Sequence, residues 1–170
     1  EGKYVIAEAD ESDGTFLKQN PYIAVVTNID ADHMDHYGSL ANVIEAFKEF
    51  IQKLDAREGT AVLCFENDKI RALAPSLQRR YVSYGIAQKA DYQAANLHYV
   101  QGKLHFDVSY QGQLLGEIVL CVPGRHNALN ALATIAAARL CGLEFADIAQ
   151  ALSHFHGAKR RFQTKGVVGD

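Results

Sequence analysis

Strand-like apolar runs at residues 4–7, 22–27, 59–65 and 81–84 alternate with segments that carry helical spacing or turn signals. That alternation constrains the fold most, because βαβ units with a largely parallel sheet bury such strands between helices. The clearest helix spans residues 40–54, where Leu40, Val43, Ile44, Phe47, Phe50, Ile51 and Leu54 recur at three- and four-residue steps. Ser39 precedes it as an N-cap. A shorter helix is predicted over residues 66–74, with Asn67 or Asp68 near its start and Pro75 just after it.

The pattern then changes. Residues 92–100, 103–110 and 113–122 are strand-like and are joined by Gln101-Gly102 and Gln111-Gly112. Turns that short predict an antiparallel layer appended to the α/β core. Pro123-Gly124 ends it. Residues 127–140 form a helix rich in Ala and Leu with almost no polar face, which predicts burial all round. Residues 144–155 supply an amphipathic helix through Phe145, Ile148, Leu152 and Phe155. No internal repeat, low-complexity tract or linker divides the chain, so one domain over residues 1–170 is expected.

A chain of 170 residues is long enough to bury roughly 70% of its unfolded surface. Its net charge of −3 argues against a general nucleic-acid or membrane-surface binder, which needs a basic face. No apolar run approaches the roughly 20 residues of a membrane span, and the chain opens in strand-like residues rather than in a signal peptide. Cys64, Cys121 and Cys141 lie among apolar neighbours, with no CxxC pair. Buried free thiols in a reducing cytoplasm are expected.

Chemistry concentrates in four places. The run at residues 22–27 stops abruptly and is followed by one Asn, three Asp and two His within nine residues, in Asn28-Ile-Asp-Ala-Asp-His-Met-Asp-His36. Carboxylate and imidazole at that density suit a hard divalent cation or a polyphosphate. The end of a strand is also where open α/β sheets place their ligands. Asp32 and Asp35 flank His33 and can fix its tautomer, whereas His36 reads as surface. Glu8-Ala-Asp-Glu-Ser-Asp-Gly14 puts four carboxylates and a hydroxyl within six residues after the first strand-like run. It is either a solvated turn or a Mg²⁺ ligand with substrate contacts. Pro123-Gly-Arg-His-Asn127 precedes a buried helix, where Asn127 either caps the helix or reads an adenine edge. In Lys159-Arg-Arg-Phe162 two adjacent arginines are either solvated or able to clamp phosphate. No G-x-x-x-x-G-K-[ST] loop and no G-x-G-x-x-G fingerprint occurs in the sequence.

Together the four segments resemble the Mur ligases, end to end and in the family's order. The resemblance is to the family's central ATPase domain, from after its phosphate loop onward, with an α/β fold of largely parallel sheet. It implies a fragment that is inactive alone and that works with N- and C-terminal domains of the same chain. Within the family the residues are nearest to the branch that uses ATP to join L-alanine to UDP-N-acetylmuramate through an acyl phosphate, in cytoplasmic peptidoglycan precursor synthesis. Glu8 and His33 would be Mg²⁺ ligands, with Asn28, Asp32 and Asp35 in support. His126 and Asn127 would contact the adenine of ATP, and Arg161 its phosphates. Asp10 and Asp13 would face substrate. Two alternatives stand beside this reading. One is the recycling branch that attaches a whole murein tripeptide, which usually carries Tyr where this chain has Ser12. The other is a non-catalytic binding module whose acidic loops are surface.

Overall fold

A parallel strand pair organises the first part of the chain. β1 (Ile23–Val26) runs alongside β2 (Thr60–Cys64), with Ile23 opposite Thr60 and Val26 opposite Leu63. Every residue of β2 is buried, as an apolar strand covered on both faces requires. The computed structural model describes residues 2–157, and its chain divides into two compact units, Glu1–Ser83 and Tyr84–Asp170.

In the first unit the β1–β2 crossover holds two helices, α1 (Met34–Tyr37) and α2 (Leu40–Gln52). The Ser39 side chain accepts the Asn42 N–H at 3.2 Å and caps α2 as the sequence predicts. The helix buries Val43, Ala46, Phe50 and Ile51. At its C-terminus Lys53 N–H bonds to Glu49 O and Phe50 O, and Leu54 N–H to Ile51 O. Arg79 serves the last carbonyl, donating to Gln52 O at 2.7 Å, while it also reaches Leu54 O at 2.9 Å. α3 (Asp68–Leu73) is capped by Asn67, whose side chain accepts from the N–H groups of Lys69 and Ile70, both at 3.1 Å. Phe16 is 1% exposed and its ring centroid lies 5.4 Å from that of Phe47 and 5.0 Å from that of Phe50.

β3 (Arg80–Gly85) closes the first unit and opens the second. Tyr84 and Gly85 pair in parallel with Tyr92 and Gln93. The intervening loop is held by the Gln93 side chain, which donates to Ile86 O at 3.0 Å and to Gln88 O at 3.2 Å. β4 (Tyr92–Val100), β5 (Lys103–Tyr110) and β6 (Gln113–Leu120) form an antiparallel meander. Both turns place Gln and Gly at positive φ, Gln101 at 49° with Gly102 at 78° and Gln111 at 50° with Gly112 at 82°. Such two-residue turns match the right-handed strand twist. The inner face buries Ala94, Leu104, Phe106, Val108, Ile118 and Leu120, and α4 (Arg125–Leu140) and α5 (Phe145–Ser153) pack on this layer.

The α/β class with an appended antiparallel layer is therefore the class of the folded chain. Three expectations change. Residues 4–7 are not a strand: Val5 is 94% and Ile6 98% exposed. A strand exists only with a hydrogen-bonded neighbour, and among the described residues these have none. α4 is not buried all round, since Asn130 and Thr134, one turn apart, share an exposed stripe while six of its residues are buried. Of the three free thiols only Cys64 is buried, and Cys121 and Cys141 are half-buried. Among the described residues no helix is long and apolar enough to cross a membrane.

Phe16 joins residues 8–14 to α2, so removing its ring leaves a cavity against two aromatic neighbours. Phe16→Ala is expected to destabilise the chain by about 3–5 kcal/mol, read from urea unfolding. Phe16→Leu should cost clearly less.

Candidate functional site

The segment after β1 is folded around one apolar plug. Ile29 is 1% exposed, while Asn28, Asp30 and Asp32 on alternate positions face solvent. Polar contacts fix this spacing. Thr27 Oγ1 donates to Asn28 Oδ1 at 3.2 Å, and Asn28 Nδ2 donates to Asp30 Oδ2 at 3.0 Å. Asn67, the cap of α3, donates its Nδ2 to Ile29 O at 3.2 Å. Lys69 Nζ stands 3.8 Å from Asp30 Oδ1. His33 takes the left-handed conformation, φ 56° and ψ 39°, at the start of α1. Its carbonyl accepts the N–H groups of His36 and Tyr37.

The acidic segment at residues 8–14 is a pair of tight turns rather than an open coil. Asp10 Oδ1 accepts Ser12 N–H and Asp13 Oδ1 accepts Thr15 N–H, each at 2.9 Å. Ser12's N–H and hydroxyl hold the Asp10 carboxyl below its ordinary value. Thr15 does the same for Asp13, first through its side chain. The Tyr37 hydroxyl donates to the Glu11 carbonyl. Partial burial raises the Tyr37 phenol, helped by the nearby charges of Glu11, Asp13 and Asp10.

The two segments meet where His33 Nε2 lies 3.7 Å from Glu11 Oε1. Around that contact Glu11, Asn28, Asp30, Asp32, His33 and Tyr37 line a cavity of about 20 Å³. That volume holds one water-sized occupant, so it suits a small ion. Carboxylate and amide oxygens with one imidazole suit a hard divalent cation such as Mg²⁺ in kind, but among the described residues no three of Glu11, Asp30, Asp32 and His33 bring their ligand atoms within 4.8 Å of one another.

The expected residues divide sharply. His33, Asn28 and Asp32 line the cavity. Glu8, Asp35 and His36 are exposed and do not, and the His36 ring stands edge-on to Tyr37 at 4.7 Å. Asp10 and Asp13 are exposed and hold the turns. Glu11, Asp30 and Tyr37 were not singled out by the sequence reading. The available signal was the alternation of Asn28, Asp30 and Asp32 about one apolar residue. In the second unit Gly124, not Asn127, is the N-cap of α4. Asn127 Nδ2 donates to Pro123 O at 2.6 Å, which leaves its Oδ1 for another partner. His126 is exposed and folds over Gly124, where an added Cβ would lie 2.6 Å from His126 Cε1. Arg161 lies outside the described residues.

Known proteins resemble this chain in sequence and fold. A family model described as the Mur ligase middle domain matches residues 1–138. The UDP-N-acetylmuramate–L-alanine ligase of Syntrophotalea carbinolica is 46% identical over 165 residues, covering 97% of this chain and 36% of that protein. A solved UDP-N-acetylmuramate-alanine ligase, MurC from Thermotoga maritima, is 30% identical with a TM-score of 0.78, over 93% of this chain and 34% of that one. A solved UDP-N-acetylmuramate:L-alanyl-gamma-D-glutamyl-meso-diaminopimelate ligase from Neisseria meningitides is 27% identical with a TM-score of 0.78, over 90% of this chain and 48% of that one. The chain thus spans about a third of the length of the curated relatives it matches.

The turn carboxylates carry a pH signature. A carboxyl held below its ordinary value of 3.8 contributes stability that is fully present above that value and is lost as pH falls through its lower folded value. Asn can keep both turn hydrogen bonds without titrating. The Asp10→Asn/Asp13→Asn chain is therefore expected to show a shallower loss of urea midpoint than wild type between about pH 5 and about pH 2.

Proposed function

The chain belongs to the Mur ligase family, and on that basis we propose that residues 1–170 are one middle domain of the enzyme that joins L-alanine to UDP-N-acetylmuramate using ATP. The observation that carries this reading is the meeting of two acidic segments at His33 and Glu11 around a cation-sized cavity. The choice of L-alanine rests on the 46% identity to the alanine ligase and on Ser12. The Mur ligases are ATP-dependent ligases, and a cytoplasmic setting accompanies the reading.

In this reading ATP phosphorylates the muramate carboxylate with release of ADP, and the L-alanine amine attacks the acyl phosphate to give the amide and phosphate. Mg²⁺, when bound, offsets phosphate charge during the transfer. His33 and Glu8 are the proposed ligands. Glu11 is the competing carboxylate, because it already stands 3.7 Å from His33. Tyr37 fixes the Glu11 backbone, and Asn28 with Asp30 fixes the loop that carries His33. His126 and Asn127 are proposed at the adenine, consistent with an Asn127 oxygen not used by the Pro123 contact. Arg161 is proposed at the ATP phosphates. Asp10 and Asp13 shape the loop that faces substrate.

A second reading is the tripeptide-recycling ligase, favoured by the equal TM-score of 0.78 to that enzyme. Alanine-dependent ADP release by the full-length protein that contains this segment separates the two. Turnover with L-alanine and none with the murein tripeptide supports the first reading, and the reverse supports the second. His33→Ala is expected to lower kcat/KM at least about 100-fold with raised Mg²⁺ requirement. Comparing Glu8→Gln with Glu11→Gln assigns the carboxylate, since only the ligand's loss should shift the Mg²⁺ dependence strongly.

A further inference from the structure

The outer face of the antiparallel layer carries a second group of metal-binding side chains. His98 on β4, His105 on β5 and Glu117 on β6 each offer one ligand atom, all within 4.8 Å of one another. His98 and His105 are directly opposed across the β4–β5 ladder, with ring centroids 5.4 Å apart. His105 Nδ1 lies 3.2 Å from Glu117 Oε1. Two ligands on one tetrahedral zinc ion, bonded at about 2.0–2.1 Å, stand roughly 3.3 Å apart. That pair is hydrogen-bonded as it stands, at a length close to the spacing that an ion replacing the shared proton would impose.

The backbone is irregular where it serves this group. Between Ala95, opposite Asp107, and His98, opposite His105, β4 contains one residue more than β5. Bulges of this kind re-aim side chains. Without the extra residue Leu97 would face His105; with it, His98 does. Asn96 turns the bulge at φ 56° and holds it by donating Nδ2 to Asp107 Oδ2 at 2.7 Å. Asn96 also orients the ligand. His98 Nδ1 lies 2.7 Å from Asn96 O. A carbonyl only accepts, so Nδ1 carries the proton and Nε2 presents its lone pair. A metal-binding histidine is fixed in this way by a backbone carbonyl on its other nitrogen.

We propose that His98, His105 and Glu117 form a binding site for a zinc-class divalent cation that clips β4, β5 and β6 together. Two imidazoles and one carboxylate suit zinc and its transition-metal neighbours rather than Mg²⁺, which takes oxygen ligands. Three protein ligands leave a coordination position for water. The site is distinct from the cavity at His33, which is oxygen-rich and has a single imidazole.

Zn²⁺ titration by calorimetry tests the site in the wild-type chain and in the His98→Gln, His105→Gln and Glu117→Gln chains, with circular dichroism confirming the fold of each. All three side chains are exposed or half-exposed, so each variant is expected to fold. The expected result is one Zn²⁺ site in wild type that each His substitution weakens at least about 10-fold, that excess Mg²⁺ does not displace, and that raises Tm only when the ligands are intact. A double His98→Gln/His105→Gln chain that binds Zn²⁺ with unchanged stoichiometry and affinity overturns the proposal, as does displacement by Mg²⁺.

Discussion

The parallel pairing of β1 with β2 is the constraint from which the first unit follows. Parallel neighbours cannot be joined by a tight turn, so the chain between Val26 and Thr60 must leave the sheet, cross and return. The crossover contains the acidic segment at residues 28–36, α1 and α2. Ile29 pins its first turn into the core, and Ser39 starts the helix that returns the chain. α2 then offers Phe47 and Phe50 to Phe16, which fastens the earlier acidic segment beside the later one. The contact between His33 and Glu11 is thus a consequence of strand direction and one buried ring.

Features set by local chemistry were legible in the sequence. Ser39 caps the helix it was expected to cap, and Asn67, one of two residues expected near a helix start, caps α3, because an N-cap needs only a short acceptor side chain before a periodic run. The Gln-Gly turns were readable because Gly at positive φ is demanded by two-residue hairpins. Features set by partners distant in sequence were not. Residues 4–7 have strand composition, yet composition carries no information about whether a neighbouring strand is present to pair with it. Helix α4 looked uniformly apolar, but small alanines do not reveal which side Asn130 and Thr134 leave open.

The same distinction runs through the site. His33 was identifiable from its acidic surroundings, whereas the choice of carboxylate beside it depends on how residues 8–14 fold. The turns at Asp10 and Asp13 bring Glu11 to His33 and leave Glu8 exposed. Tyr37 stabilises that outcome through the Glu11 carbonyl, a contact between residues with no motif in common. In the antiparallel layer one inserted residue brings His98 rather than Leu97 opposite His105. A bulge has no spacing rule that a single sequence displays, so the three-strand cluster emerges only with the register.

The proposed cation site draws on two separate acidic segments of residues 2–83. Mn²⁺, an oxygen-preferring stand-in for Mg²⁺, broadens NMR signals of the nuclei nearest to it. Titrating the ¹⁵N-labelled His98→Gln/His105→Gln chain with substoichiometric Mn²⁺ is predicted to broaden the Glu11, Asn28, Asp32, His33 and Tyr37 amides first, together and ahead of other exposed carboxylates. Broadening spread evenly over the exposed Asp and Glu residues, or confined to one of the two segments, would contradict the account.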